Sequence, residues 1–238
     1  MISTAHELNS IGHNPRLMSA HFQLINDIDL ADVNFFIIGS QWHPFAGTFD
    51  GNGHTISNFT YTSEYATSIG LFGYVIGGQI KDLGLIDSIV DVDRGDFHGC
   101  LVGHLGGAIT NCYVEAGNIS GNDYVGGLVG FNGSDSSSSG TITNCYVTGF
   151  VGGDDDVGGL VGSNVGEITD CYAIADVNGN KRVGGLVGFS EKVSSPRTGG
   201  PRANIKRCYA AGRVSGDEYV GGLAGQGGIA GSGGGLAG

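Results

Sequence analysis

The sequence predicts an all-β chain folded as a right-handed parallel β-helix, a solenoid with an N-terminal cap containing a short helix. Three observations carry that reading. Gly supplies 47 of the 238 residues, about one in five. A glycine-rich phrase recurs at intervals suited to one coil, and a second phrase follows its middle copies. The stretches between these phrases are short, β-rich and punctuated by Gly, Asn and Asp, with no room for helices.

The glycine content needs a repeated backbone cause. Pro contributes only 4 residues and no strict Gly-X-Y period appears, which excludes collagen. Charged residues make 14% and hydrophobic residues 40%, too apolar for a disordered acidic chain. An interior Gly costs a helix about 1 kcal/mol relative to Ala, so a helix-rich fold is excluded as well.

The N-terminal segment departs from the repeat. Thr4-x-x-Glu7 forms a capping box for a short helix carrying Leu8 and Ile11. Residues 22–30 read as a strand with an acidic turn, and residues 45–56 as two strands around a Gly-rich turn. Residues 1–60 are therefore assigned to a cap and first coil, since the first coil of a solenoid needs covering.

Residues 61–225 carry the repeats. Val125-Gly126-Gly127-Leu128-Val129-Gly130 returns at 157–162 and 183–188, and at 220–225 with Ala224 for Val. Looser copies are Ile69-Gly70-Leu71-Phe72-Gly73 and His98-Gly99-Cys100-Leu101-Val102-Gly103. The key leucines, at 71, 101, 128, 160, 186 and 223, are spaced by 30, 27, 32, 26 and 37 residues. The second phrase is Ile109-Thr110-Asn111-Cys112-Tyr113-Val114, with counterparts at 142–147, 168–173 and 205–210. Ile80-Lys81-Asp82-Leu83-Gly84-Leu85 is its first, divergent copy. Insertions at 134–139 and 191–202 fall between the two phrases, as surface loops on a solenoid do.

Each repeat reads as three short strands: Gly-Gly-Leu-Val-Gly, then Cys-Tyr-Val with its approach, then a segment such as Asn118-Ile119-Ser120 or Phe150-Val151. Stacking supplies the core that one coil cannot form alone. The glycines are expected at corners with positive φ or where backbones pack closely. Strand alternation places Cys and Val inward and Tyr outward. Cys112, Cys145, Cys171 and Cys208 then form an internal ladder of reduced, buried thiols, and Tyr113, Tyr146, Tyr172 and Tyr209 an external one. Lys206 and Arg207 are placed at the corner before Cys208. Residues 226–238 read as a Gly-rich tail or cut repeat, which suggests a module of a longer protein.

Charge and composition bound the function. The net charge of −12 disfavours general binding to nucleic acid or anionic membranes. No apolar run approaches the roughly 20 residues of a membrane helix, and Met1-Ile2-Ser3-Thr4 does not read as a secretory signal. Residues 1–180 hold 3 basic and 20 acidic residues, whereas 181–238 hold 8 and 3. That asymmetry favours head-to-tail contact between copies, set against ordinary surface scatter. The five cysteines include no C-x-x-C pair, and their odd number excludes complete internal pairing.

Several constellations are candidate sites. His43, Asp50, His54, His98 and His104 lack the spacing of a metal site, and turn-fixing by Asp50 and His54 is preferred. Asn122-Asp123, Asp154-Asp155-Asp156 and Asp217-Glu218 precede Val-Gly-Gly phrases and, stacked, would form an acidic edge for Ca²⁺. Asn180-Lys181-Arg182 interrupts that edge, so a solvated turn is preferred. Asp87, Asp91, Asp93 and Asp96 form the densest acidic run, with no pair fixed by spacing. No catalytic residue, metal or cofactor is assigned.

The repeated Gly-Leu-any-Gly, at 127–130, 159–162, 185–188 and 222–225, resembles the GLUG-motif family of bacterial secreted and surface proteins. The segments at 2–9, 24–30 and 45–56 resemble family members as well, so the resemblance covers roughly residues 2–225. It implies an extracellular or surface location and adhesin-like or passenger roles. Such motifs also accompany surface proteases, with the catalytic domain separate. The reading is a non-catalytic structural module that joins other copies or surface and matrix proteins, end to end as filaments or stalks. The alternative is a carbohydrate-binding or polysaccharide-cleaving β-helix that uses the tyrosine ladder as a sugar platform.

Overall fold

The computed structural model describes residues 1–133, 140–191 and 203–227. Among these residues the strands form three parallel sheets of 11, 10 and 5 strands, and successive coils pair with one another. The chain is a parallel β-solenoid. One coil illustrates the path: Asp123–Gly126 in the third sheet, Val129–Asn132 and Thr141–Thr143 in the first, then Tyr146–Gly152 in the second.

This path corrects the predicted strand boundaries. Gly-Gly-Leu-Val-Gly is no single strand. The chain turns at Gly127-Leu128, so the phrase straddles the corner between the third and first sheets. The Ile-Thr-Asn approach closes the first sheet, and Cys-Tyr-Val opens the second after a corner at Asn144-Cys145. The segment predicted as a third strand continues the second, as Tyr113–Ser120 shows. An apolar-polar pattern marks which residues are buried but not where a strand bends, so all three boundaries were missed.

The two phrases of a repeat share one face, which the sequence did not reveal. The uninterrupted strand Val102–Thr110 pairs with both Val129–Asn132 and Thr141–Thr143 of the next coil. The insertion at 134–139 is therefore flanked by strands that lie on one face rather than on two sides of a corner. Its residues, those at 192–202 and the tail from 228 lie outside the described residues. The strand Ala224–Gly227 reaches into the segment assigned to the tail.

The glycines have a specific cause. None of the repeat glycines at 126, 127, 130, 158, 159 or 162 has positive φ. They are needed for close approach. A Cβ on Gly162 would stand 2.5 Å from the Tyr124 carbonyl carbon and 2.6 Å from the Val125 nitrogen, both backbone of the preceding coil. The left-handed conformation falls instead on other residues at the corners. Asp82, Asn111, Asn144, Asp170 and Arg207 form one such column, with φ of 53, 54, 53, 56 and 51°. Phe97, Tyr124, Asp156, Arg182 and Tyr219 form another, one residue before the Val of the glycine phrase or its counterpart. Asn and Asp tolerate this region because their short side chains bond locally; the other members need support from neighbours.

The core runs along the axis. Leu71, Leu101, Leu128, Leu160 and Leu186 are each fully buried, with Val129, Val161 and Val187 beside them. Each such side chain contributes about 1.5–3 kcal/mol relative to exposure. At the N-terminal end Phe45, Phe49, Phe59 and Phe72 fill the coil, with Phe49 and Phe72 edge-to-face at 5.3 Å. The helix Ala5–Gly12 caps this end with Leu8 and Ile11 inward, and the Thr4–Glu7 capping box is formed.

Candidate functional site

The corner at Asn144 sets the two predicted ladders. With φ at +53°, Asn144 turns the chain so that Cys145 and Val147 enter the core while Tyr146 faces out. Corresponding residues repeat this in neighbouring coils, and the register pairs Tyr113, Tyr146, Tyr172 and Tyr209 in order.

The four tyrosine rings form a continuous stack. Ring centroids are 5.0, 4.9 and 4.9 Å apart, with interplanar angles of 3, 1 and 5°. Tyr113 lies over Gly84, where any Cβ would meet its ring. Tyr146 Oη donates to Glu115 Oε1 at 2.6 Å, and burial together with that carboxylate pushes the Tyr146 phenol up. A sugar platform needs free ring faces, and here the interior faces lie on one another. The outer face of Tyr209, 53% exposed, ends the stack. The column thus joins neighbouring coils through its rings.

The cysteines also make contacts between coils. The backbone N–H of Cys112 donates to Cys145 Sγ at 3.4 Å, Cys145 to Cys171 and Cys171 to Cys208 at the same distance. Each thiol in turn donates to the carbonyl two residues before it, at 3.1–3.3 Å. All five cysteines are free, and only Cys208 is partly exposed. Burial pushes the Cys100 and Cys112 thiols up to about 12.

A third column, made of the Asn and Asp that punctuate the turns in the sequence, lies beside them. Asn111 Nδ2 donates to Asp82 Oδ1 and Asn144 Nδ2 to Asn111 Oδ1, both at 2.8 Å. Arg207 grips Asp170 with two bonds of 2.5 and 2.7 Å and holds that carboxyl below its usual range. Inside the first sheet, Asn132 donates to Asn164 Oδ1 at 2.7 Å, both side chains being buried. The signal was present: Asp, Asn, Asn, Asp and Arg occupy the same place before Leu or Cys in every copy.

The acidic groups are dispersed over such pairs. Asp156 bonds Arg182, although burial pushes the Asp156 carboxyl up. Asn180 Nδ2 donates to Asp154 Oδ1 at 2.9 Å, and Lys181 lies 3.8 Å from Glu218. Lys206 bonds Glu167 at 3.1 Å. These described basic residues of the C-terminal third thus meet carboxylates of adjoining coils. The histidines do not converge either. His54 meets Asp27 at 3.2 Å, buried His98 donates from Nε2 to the Gly95 carbonyl at 2.9 Å, and His104 stacks on Tyr74 at 4.9 Å. Among the described residues no group of three or more His, Cys, Asp or Glu is placed to hold a metal ion. Among them, too, no helix is long and apolar enough to cross a membrane.

Comparison with known proteins follows the same pattern. Residues 121–152 and 155–178 match the family model of the GLUG motif. Halomucin of Haloquadratum walsbyi is 33% identical over 134 residues, which is 52% of this chain and 1% of halomucin. A protein of Evansella cellulosilytica, provisionally named as a Gly-rich membrane protein, is 34% identical over 126 residues, 49% of this chain and 14% of its own length. The chain thus spans a small part of both relatives. A candidate immunoglobulin A1 protease from Bacteroides ovatus has the same fold, with a TM-score of 0.66 at 21% identity over 94% of this chain and 84% of that one.

Proposed function

We propose that this GLUG-motif β-helix is a non-catalytic structural module of a larger extracellular or cell-surface protein, a stiff spacer built by stacking. One observation carries the reading: the side chains that recur from coil to coil contact their own counterparts. Tyrosine meets tyrosine, cysteine meets cysteine and asparagine meets asparagine. A recurring aromatic kept for a ligand would leave its ring faces free. The relatives support the location, one bearing a membrane-protein name and one being halomucin.

Adhesion and self-assembly belong to the same proposal. Parallel backbone ladders join coil to coil, and a further coil, in the same chain or in a second copy, would join by the same ladder. Charge is a poor drive for that contact, because Lys181, Arg182, Lys206 and Arg207 already face carboxylates within the chain. Sedimentation velocity of the whole chain at low and high salt tests this: an elongated particle whose association is insensitive to salt is expected. Association that disappears on adding salt would refute the edge-driven account. Incubation with immunoglobulin A1 and a panel of polysaccharides is expected to leave both intact, and cleavage of either overturns the non-catalytic reading.

A further inference from the structure

The N-terminal cap holds the most exposed large aromatic side chain among the described residues: Trp42, 83% exposed and the chain's single tryptophan. Its loop is firmly placed. Ser40 and His43 exchange backbone hydrogen bonds of 3.0 and 3.1 Å, which leaves Gln41 and Trp42 as a two-residue tip. On either side, Ile38 bonds the Leu71 carbonyl and Phe45 the Tyr74 carbonyl, so both arms of the loop are tied to the next coil. Phe36, 53% exposed, packs against His13 with ring centroids 4.3 Å apart and planes tilted by 31°.

An open groove of about 350 Å³ lies beside this tip, lined by Phe36, Gln41, Trp42, Thr67, Ser68 and Tyr74 among others. Its size falls in the usual range of about 300–1,000 Å³ for small-molecule sites. Exposed aromatics alone do not make a site. The second observation is Ser68, which is 3% exposed and whose Oγ, among the described residues, has no hydrogen-bond partner. Buried hydroxyls are nearly always bonded, so an unpaired one in a groove wall marks a place for a polar ligand atom.

We propose that this groove binds an uncharged glycan, with one sugar ring stacked on Trp42 and a sugar hydroxyl bonded to Ser68. The chemistry of the lining selects that class. Aromatic faces suit the C–H face of a sugar ring, while Gln41, Thr67 and Ser68 offer amide and hydroxyl partners. No Asp, Glu, Lys, Arg or His lines the groove, so nothing there compensates a charged ligand. The chain's net charge of −12 opposes anionic polysaccharides further.

The single tryptophan makes the test local. The whole chain is screened on an array of neutral, sulfated and uronic-acid glycans, and binders are titrated by tryptophan fluorescence. Cellohexaose, maltohexaose and chitohexaose serve as neutral probes, with oligogalacturonate as the anionic one. A saturable change with at least one neutral probe and none with oligogalacturonate is expected. Trp42→Ala, read by calorimetry, should weaken that binding by about tenfold or more, with Tm held within about 2 °C because the side chain is exposed. Ser68→Gly removes the hydroxyl, keeps the left-handed backbone at +58° permissible, and should weaken binding several-fold. Tyr172→Ala should leave affinity unchanged. The proposal fails if no neutral glycan binds, if binding survives Trp42→Ala, or if affinity follows Tyr172 instead.

Discussion

Replacing Gly159 by Ala tests the physical meaning of the glycine phrase. A Cβ there would fall on the carbonyl oxygen of Gly185, well inside contact distance, and 3.0 Å from the Ala173 Cβ. Both obstacles are fixed. The Gly185 carbonyl belongs to the next coil's corner, and Gly159 N–H is itself bonded to the Gly184 carbonyl at 3.2 Å. Two opposing effects set the size. Gly159 lies outside the left-handed region, so Ala would stabilise by about 0.4–1 kcal/mol through the unfolded chain. Overpacking costs about 1–3 kcal/mol, and an immovable backbone obstacle favours the upper end. A net loss of about 2 kcal/mol corresponds to a Tm lower by about 4–8 °C for a chain of this size. Gly222 is the internal control, since it holds the same place in the phrase but its Cβ would meet nothing within 4 Å among the described residues. Thermal unfolding followed by circular dichroism should show Gly159→Ala well below, and Gly222→Ala at or slightly above, the parent. Equal losses would refute close approach as the reason for the glycine. Cys100 occupies the corresponding place in an earlier coil and is fully buried there.

Three further outcomes are expected. Cys100, Cys112 and Cys171, with thiols pushed up to about 12, should resist a disulfide reagent at about pH 8 in the native state, whereas all five cysteines react in denaturant. The Arg207 fork holds Asp170 below its ordinary 3.8, so its contribution is present above that pH and lost as pH falls through the depressed value; Arg207→Ala should remove that part of the acid destabilisation in urea titrations. Thr4→Ala breaks the capping box and should cost about 0.5–2 kcal/mol in the same urea measurement.

The fold was legible because a solenoid writes its period into the chain. Leucines at 128, 160 and 186 mark successive coils, and Tyr113, Tyr146 and Tyr172 fall into one column by spacing alone. The corners were less legible. Periodicity reports burial, and Gly127-Leu128 is as buried as a strand would be, so the bend between two sheets left no apolar signature. The left-handed positions were hard to place for a related reason. Glycine is the usual occupant of that region, yet here backbone crowding claims the glycines and leaves positive φ to Asn144, Asp170 and Arg207. The groove at Trp42 was invisible because it depends on a loop returning to the coil after it, through bonds at Leu71 and Tyr74.

Repetition carries a hazard that the charged columns address. A stack of identical rungs is degenerate: Tyr146 packs as well on one tyrosine as on another, and the Asn111–Asn144 rung resembles its neighbours. A coil that paired with the wrong partner would keep most of its ladder contacts. Complementary pairs remove that freedom. In the column before the glycine phrase, Phe97 stacks on Tyr124 at 4.8 Å, and Asp156 then bonds Arg182. Slipping Arg182 by one coil would set it against Tyr124 and leave the Asp156 carboxylate, 2% exposed, without its cation. Stranding a buried charge costs about 3–5 kcal/mol, more than a single aromatic rung of about 0.2–1 kcal/mol returns. Asp170 with Arg207, both solvent-exposed, adds a weaker preference of the same sense at the next corner. The basic residues of the C-terminal third therefore act as register keys for a sequence whose other ladders would accept several pairings.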